Sequence, residues 1–205
     1  MLSNIILEPW PHLVIDNFFN EDHYEMLVEE HMNDFNSVPD KIRIDNNDIN
    51  MAFFYKDKLD ELYYNVFRKN EEPNYIHEEC LILGTNYDDG IHVDLPAKLM
   101  SVVVYLHPQT AEKGTQGTLI YDKDKNFVKE IEWKPNRALV FCKIPNTTWH
   151  NFVASSKSPR MSYNIFYQTL AEHTDEWGNT WHTHNEPYTH VKQNYTPPIV
   201  KKHKW

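Results

Sequence analysis

The apolar positions follow two different periods along the chain. In the first 75 residues they recur at helical spacing, and the clearest run is Leu59, Leu62, Tyr63, Val66 and Phe67. Spacings of three and four residues predict an amphipathic helix there. An earlier helix is predicted after Asn20, a good N-cap residue that is followed by two acidic residues. A short apolar run over residues 13–15 predicts a strand before it.

From about residue 76 the pattern changes to short apolar runs that are typical of strands. These runs are "CLILGTNY", "LMSVVVYL", "RALVFCKI" and "RMSYNIFYQ". The segment "GTLIYDKDKNFVKEIEW" predicts a hairpin whose polar turn spans residues 122–126. Helices first, and then five or more strands with local connections, predict an α+β fold with an antiparallel sandwich or barrel.

Residues 171–205 have no hydrophobic period, and they are polar, rich in histidine and interrupted by proline. We expect a C-terminal arm that is solvated or docked on the core. His182, His184 and His190 could alternatively coordinate zinc, although cysteines at zinc-finger spacing are absent from the sequence. We predict one domain over residues 1–205, with helical support over 1–75, a barrel core over 76–170 and the arm over 171–205.

Charge and cysteine content limit the partners and the location. The formal net charge of −10 argues against sequence-independent binding to nucleic acid or to an anionic membrane. An acidic surface beside a pocket would favour neutral or basic partners. Cys80 and Cys142 form no CxxC pair, and we find no basic leader or membrane-length apolar run. We therefore expect a reducing, cytoplasmic location, while the sequence leaves the oligomeric state open.

Three residues form a candidate metal site. In "GIHVDLPAKL", His92 and Asp94 are two positions apart, so on an extended segment their side chains point to the same side. His150, in "NTTWHNF", follows another apolar strand and would approach from a distant part of a barrel. Two histidines and one carboxylate are the ligand set of non-haem Fe(II) oxygenases, which leaves positions open for oxygen and a cosubstrate.

A candidate anion site follows ten residues after the distal histidine. Strand alternation places Arg160, Ser162, Asn164 and Phe166 on one face of the last apolar strand. A guanidinium buried in a barrel is costly without an anionic partner. Because arginine binds carboxylates through two parallel hydrogen bonds, we predict that Arg160 binds a cosubstrate that carries a carboxylate.

These residues together resemble the HxD…H…RxS signature of 2-oxoglutarate- and Fe(II)-dependent dioxygenases. The matching elements are His92-Val-Asp94, His150 and Arg160-Met-Ser162. The segments "PWPHLVIDNFF", "SVVVYLH" and "GTLIYD" resemble the prolyl-4-hydroxylase-like branch, so the likeness covers roughly residues 9–168. It implies a double-stranded β-helix, that is, a jelly-roll or cupin-like barrel, braced by N-terminal helices.

The resemblance also implies an activity. Fe(II) would be held by His92, Asp94 and His150, and 2-oxoglutarate would chelate the iron while Arg160 holds its remote carboxylate. Dioxygen would convert 2-oxoglutarate to succinate and CO2 as a C–H bond is hydroxylated, with ascorbate as a candidate reductant. Further cosubstrate contacts are expected from Ser162, Tyr105 and Tyr87.

Several alternatives remain open at this point. The resemblance suggests a peptidyl proline or another protein side chain as substrate, and a free amino acid or small metabolite is the main rival. A cupin-like zinc hydrolase or isomerase would use the same three ligands but would have no use for Arg160. A non-catalytic barrel that only binds or supports other molecules is a third class. Selectivity is expected from residues 36–50, from residues 108–117 and from the C-terminal arm.

Overall fold

The computed structural model describes residues 5–38, 41–45, 50–106, 117–154, 158–169, 173–174 and 180–181. The helices are α1 (Glu21–Glu30), α2 (Met32–Ser37), α3 (Met51–Phe54) and α4 (Lys56–Asp60), and a π-helical turn follows over Glu61–Val66. The strands are β1 (His12–Ile15), β2 (Lys41–Asp45), β3 (Tyr75–Leu83), β4 (Lys98–Leu106), β5 (Thr118–Tyr121), β6 (Phe127–Ile131), β7 (Ala138–Cys142), β8 (His150–Phe152), β9 (Arg160–Gln168), β10 (His173–Thr174) and β11 (Thr180–Trp181).

The strands form mostly antiparallel sheets, as the sequence predicts. The larger sheet has six strands in the order β1-β7-β4-β9-β3-β2, and the smaller one has three in the order β6-β5-β8. Strands β10 and β11 pair with each other. Few helices and two antiparallel sheets are consistent with a jelly-roll-like fold. The first 75 residues contribute the edge strands β1 and β2 as well as the helices.

Local sequence accounts for the N-terminal elements. The Asn20 side chain accepts a hydrogen bond from the backbone N–H of His23 (2.8 Å), which confirms it as the N-cap of α1. The predicted helix around Leu59 is α4, but it continues as a π-helical turn and not as a regular α-helix. Leu62 and Tyr63 remain buried through this turn, so the apolar stripe still faces the core.

The β5–β6 hairpin confirms the turn predicted between these strands. Asp122 Oδ1 accepts hydrogen bonds from the backbone N–H groups of Asp124 and Asn126, both at 2.9 Å, and closes the turn. At the start of the hairpin, a Cβ on Gly117 would collide with the backbone carbonyl of Ile131, so the close approach of the two strands requires glycine there.

The six-stranded sheet has two faces with different environments. Its outer face packs against the helical layer, where Tyr163 contacts Phe19 and Tyr167 contacts Tyr63 through their rings. Its buried apolar side chains include Cys80, Ile82, Met100, Val102, Val104, Met161, Tyr163, Ile165 and Tyr167. Each large apolar side chain buried this way contributes about 1.5–3 kcal/mol, so this face stabilises the fold.

The inner face of the same sheet lines a cavity of about 600 Å³. Strand alternation directs Arg160, Ser162, Asn164, Phe166 and Gln168 of β9 into it. The smaller sheet and the segment before β4 complete the wall. Within the described residues, no helix is both long and apolar enough to cross a membrane.

Candidate metal and cosubstrate site

His92, Asp94 and His150 converge at the wall of this cavity. Their ligand atoms all lie within 4.8 Å of one another. The backbone of His92 pairs with that of His150, which begins β8, through two hydrogen bonds of 2.9 and 3.0 Å. This antiparallel bridge joins the HxD segment to the distal histidine, although 55 residues lie between Asp94 and His150.

Backbone carbonyls orient both imidazoles. His92 Nδ1 lies 2.9 Å from the Gly90 carbonyl oxygen, and His150 Nδ1 lies 2.9 Å from that of Thr148. A carbonyl oxygen only accepts hydrogen bonds, so each Nδ1 must carry the proton. Each Nε2 then has a free lone pair, which is the form in which histidine binds a metal.

Asp94 is held as an anion beside the two histidines. Its Oδ2 accepts a hydrogen bond from Ser101 Oγ (2.6 Å), and its Oδ1 lies 3.1 Å from the Lys98 ammonium. Burial alone would raise the pKa of Asp94, but Lys98, the histidines and Ser101 lower it well below its usual range. Burial lowers the pKa of His150 to about 4, so this imidazole is neutral at physiological pH. A neutral imidazole and a carboxylate fit a divalent metal ion.

Arg160 lies in the same cavity and is fully buried. Its Nη1 and Nη2 reach Ser162 Oγ and Thr118 Oγ1 at 3.5 Å each, at the outer limit for hydrogen bonds. The guanidinium carbon lies 4.8 Å from the centre of the Phe152 ring and 5.2 Å from that of Tyr105. Burial lowers the pKa of Arg160, and a bound carboxylate would supply the charge-assisted bonds that hydroxyl groups do not.

Of the three residues predicted as further cosubstrate contacts, only Ser162 lines this cavity among the described residues. Ser162 lines it next to Arg160. Tyr105 is fully buried and donates its hydroxyl hydrogen to Thr118 Oγ1 (2.8 Å), so Thr118 stands beside both Tyr105 and Arg160. Tyr87 donates to Asp89 Oδ1 (3.2 Å), and Asp89 lines the cavity. The cosubstrate roles of Ser162, Tyr105 and Tyr87 stay predictions.

Sequence reasoning missed three residues that support the site. Ser101 and Lys98 hold Asp94, and Thr118 contacts Arg160. Alternation gives a usable signal for Ser101, because it is the one polar residue in the apolar run that forms most of β4. Lys98 is only four residues from Asp94, but no motif in the sequence marks this pair. Nothing local marks Thr118, because its contact with Arg160 joins β5 of the smaller sheet to β9 of the larger one.

A second polar cluster lies on the cavity floor, where β2, β3 and β9 are neighbours. Glu79 Oε2 lies 3.0 Å from Arg43 Nε and 3.5 Å from His77 Nε2, and Asn164 Nδ2 donates to Glu79 Oε1 (3.1 Å). Glu79 and Asn164 are directly paired across β3 and β9. Sequence analysis placed Asn164 on this face but gave no role to Glu79, Arg43 or His77.

The sequence contains further histidines and two cysteines that are relevant to metal binding. His182, His184 and His190, proposed as a zinc alternative, lie outside the described residues. Cys80 and Cys142 are free and buried, and burial raises the pKa of both thiols, to about 12 for Cys142. They therefore behave as small core residues, as their apolar surroundings predict.

Solved structures of prolyl hydroxylases share this fold. A viral collagen prolyl hydroxylase from Paramecium bursaria Chlorella virus-1, in a complex with 2OG, aligns with a TM-score of 0.59 at 13% identity over 78% of this chain and 96% of that one. A Pseudomonas putida prolyl-4-hydroxylase aligns with a TM-score of 0.58 at 13% identity, covering 78% and 93%. A Trichoplax adhaerens prolyl hydroxylase, in complex with a hypoxia inducible factor peptide fragment, gives 0.57 at 15% identity, covering 77% and 83%.

Sequence comparison adds nothing to these alignments, because no protein-family model and no curated protein sequence matches the chain. The structural alignments cover more than three quarters of this chain and more than four fifths of each of the three solved chains. This chain therefore has the fold of the prolyl 4-hydroxylases, the branch that its sequence motifs resemble.

Proposed function

We propose that the protein is an Fe(II)- and 2-oxoglutarate-dependent dioxygenase that hydroxylates an unactivated C–H bond. One observation carries the proposal. The His92, Asp94 and His150 side chains and the buried guanidinium of Arg160 line a single cavity, built on the fold of the prolyl 4-hydroxylases. In this proposal the two sheets are the two halves of a double-stranded β-helix.

The chain's own residues would prepare the site in three ways. The Nε2 atoms of His92 and His150 and the Asp94 carboxylate would hold iron, and Arg160 would bind the remote carboxylate of 2-oxoglutarate. Ser101 keeps Asp94 oriented through its hydrogen bond, and the burial of Asp94, His150 and Arg160 limits their contact with water. Ferrous iron, 2-oxoglutarate and dioxygen together would supply the oxidising power, with succinate and CO2 as coproducts and ascorbate as a candidate reductant.

The substrate class is a separate part of the proposal. The Trichoplax structure contains a peptide fragment, which supports a peptidyl proline or another protein side chain. A free amino acid or a small metabolite is the alternative. We also propose an intracellular, reducing location, which would keep iron ferrous.

A cupin-like zinc hydrolase or isomerase would use the same three ligands. The position of Arg160 favours the oxygenase, because the guanidinium is fully buried in the cavity and such a site suits a dicarboxylate cosubstrate. A barrel without catalytic activity would have no need for two imidazoles oriented for metal binding.

Anaerobic loading with Fe(II), followed by addition of 2-oxoglutarate and air, tests the oxygenase. We expect succinate to form even without a substrate, by slow uncoupled turnover. The His150→Ala variant should lose succinate formation by at least 100-fold and bind Fe(II) more weakly, because one of three ligands is missing.

His23→Ala provides the control, since His23 is partly buried against Tyr55 and does not line the cavity. It should form succinate as fast as the unmodified protein. Succinate formation that persists in His150→Ala, or that is absent from the Fe(II)-loaded unmodified protein, would contradict the proposal.

A further inference from the structure

Beside the metal triad, the cavity contains a second group of side chains to which the proposed reaction assigns no contact with the cosubstrate. We propose that Arg43, His77, Lys98, Asn164 and Phe166 form a substrate subsite for a carboxylate that has an N–H donor next to it, as in an α-amino acid. We call these five residues the carboxylate subsite. The proposal rests on the proposed function, because it names the class of substrate for that reaction.

The charge of the cavity is opposite in sign to that of the whole chain. The chain carries a formal charge of −10. The cavity lining instead has four cationic side chains and three carboxylates, namely Lys41, Arg43, Lys98 and Arg160 against Glu79, Asp89 and Asp94. Ferrous iron and the dianion of 2-oxoglutarate would cancel each other, so one positive charge remains. An anionic substrate is therefore favoured inside an acidic protein.

Arg43 offers donors that can reach such an anion. Among the described residues, Arg43 makes one ion pair, from its Nε atom to Glu79 Oε2 (3.0 Å). The side chain lines the cavity and is 40% exposed. A guanidinium has five N–H donors in a planar fork. The two terminal amino groups are thus available for a carboxylate, which would bind through parallel hydrogen bonds.

Glu79 serves as a fixed anchor for this group. Glu79 is 3% exposed. Its Oε2 contacts Arg43 and His77, and its Oε1 accepts a hydrogen bond from Asn164. Burial would raise the pKa of Glu79, but the hydrogen bond from His77, the charges of Arg43 and Lys98, and Asn164 lower it to about 2. A carboxylate with so many donors holds the cations in place.

Asn164 supplies an acceptor that is still unused. Its Nδ2 must face Glu79, because the carboxylate oxygen there can only accept a hydrogen bond. Its Oδ1 is then fixed on the other side of the amide, and this buried atom has no hydrogen-bond partner among the described residues. An unpaired buried acceptor is costly, and an N–H from a bound molecule would remove that cost.

Lys98 and Phe166 place a charge beside an apolar surface. The Lys98 ammonium lies 3.7 Å from the centre of the Phe166 ring and 3.1 Å from Asp94 Oδ1. The cation is therefore close to the metal ligands, and the ring offers a wall for a hydrocarbon chain. A ligand that fits would have a carboxylate for Arg43, an N–H donor for Asn164 and a carbon chain for the Phe166 ring. An α-amino acid has these three features, either free or as the last residue of a peptide.

Isothermal titration calorimetry on the Fe(II)- and 2-oxoglutarate-loaded protein under anaerobic conditions tests the subsite. Saturating 2-oxoglutarate keeps probes away from Arg160. The probes are the twenty free L-amino acids, their carboxamides, and dipeptides with a free or amidated C-terminus. We expect at least one free acid to bind, its carboxamide to bind at least tenfold more weakly, and the same acid to increase succinate formation in air. The dipeptides show whether a free amino acid or a peptide end is preferred.

Two variants locate the binding. Arg43→Met should weaken the best carboxylate by about 10- to 100-fold, because a charge-assisted hydrogen bond contributes about 1.5–3 kcal/mol. Asn164→Leu should weaken it by about 3- to 10-fold, and it should reduce the preference for probes with a free N–H over their N-methylated forms. Arg43→Lys should recover part of the affinity. Arg137→Met is the matched control, since Arg137 pairs with Asp16 outside the cavity and its removal should leave probe binding unchanged.

The outcomes separate this inference from the proposed function. If no carboxylate binds, or if carboxamides bind as well as acids, or if Arg43→Met binds normally, the carboxylate subsite is wrong even when succinate forms. If carboxylates bind at Arg43 but no succinate forms in any condition, the oxygenase proposal is wrong and the cavity is only a binding site.

Discussion

Two neighbouring glutamates on β3 show how different the two faces of the larger sheet are. Glu78 points to the outer face, where it accepts hydrogen bonds from Tyr163 Oη (2.7 Å) and from the backbone N–H of Ala52 (3.0 Å). Burial in this apolar layer raises the pKa of Glu78 to about 7. Glu79 points into the cavity among cations, and its pKa is about 2.

The same contrast runs along β9. Met161, Tyr163, Ile165 and Tyr167 face the helical layer and are completely buried in the apolar core. The alternate residues, beginning with Arg160, face the cavity and are polar at most positions. One face therefore holds the fold together, and the other presents buried polar groups that hydrophobic packing does not explain. Buried polar groups of this kind point to ligand binding.

Replacing Arg160 on the cavity face should have the largest effect on binding. We expect Arg160→Met to weaken 2-oxoglutarate binding to the Fe(II)-loaded protein by about 1,000-fold, because removing one partner of a buried charge pair costs about 2–5 kcal/mol. Without 2-oxoglutarate, the variant should be as stable as the unmodified protein or more so, since an apolar side chain replaces a buried charge. Calorimetry and thermal unfolding measure the two effects. Unchanged affinity together with a large loss of stability would instead make Arg160 a structural residue.

Replacing Ile165, on the opposite face of the same strand, should give the reverse result. Ile165→Ala should lower the free energy of unfolding by about 3 kcal/mol, because it leaves a cavity in the packed core. Its affinity for 2-oxoglutarate should stay within about twofold of the original. Urea unfolding and calorimetry check this pair of values, and a 2-oxoglutarate affinity that falls along with stability would show that the two faces are not independent.

The two glutamates should differ in how stability depends on pH. Glu79 has a pKa below the usual 4.5, so its ionised form stabilises the fold above pH 4.5 and this contribution is lost as pH falls toward 2. Glu79→Gln should therefore be less stable than the original at pH 7, by roughly 2–3 kcal/mol, and the difference should shrink in acid.

The pKa of Glu78 is shifted in the opposite direction, so its effect on stability changes with pH in the opposite sense. Its raised pKa means that its contribution is fully present below pH 4.5 and is lost as pH rises through about 7. Compared with the original protein, Glu78→Gln should become progressively more stable as pH rises from 4.5 to 7. At pH 8 the difference in the free energy of unfolding should reach roughly 2–3 kcal/mol at most. Urea unfolding at pH 3, 4, 6 and 8 measures both variants. Parallel pH profiles for the two substitutions would contradict the assigned environments.

The period of apolar residues and a few local signals were sufficient for most of the architecture. The runs from residue 76 onward are strands, Asn20 caps α1, and residues 122–126 form the turn between β5 and β6, because these features depend on side chains close in sequence. The π-helical turn after α4 was not predicted, since it has the same apolar spacing as a regular helix.

The candidate metal ligands and the candidate anion-binding residue were also predictable in part. Alternation on an extended strand placed His92 with Asp94, and Arg160 with Ser162 and Asn164, on common faces. His150 was predicted as the third ligand because it follows another apolar strand, and the resemblance to a known motif supported the same set of residues. The structure brings the three candidate ligands within 4.8 Å and places Arg160 in the same cavity.

The sign of the charge in the cavity was decided only by the tertiary structure. Composition gives an acidic chain, and an acidic surface beside the pocket would have favoured neutral or basic partners. The order of strands in the larger sheet instead brings Arg43 and Lys98 to the same cavity as Arg160, although they come from β2, β4 and β9. Side-chain period is a local property of the chain, whereas the charge of a cavity depends on which distant strands become neighbours. The sequence therefore determined the elements and the ligand motif, and the packing of the sheets determined what surrounds them.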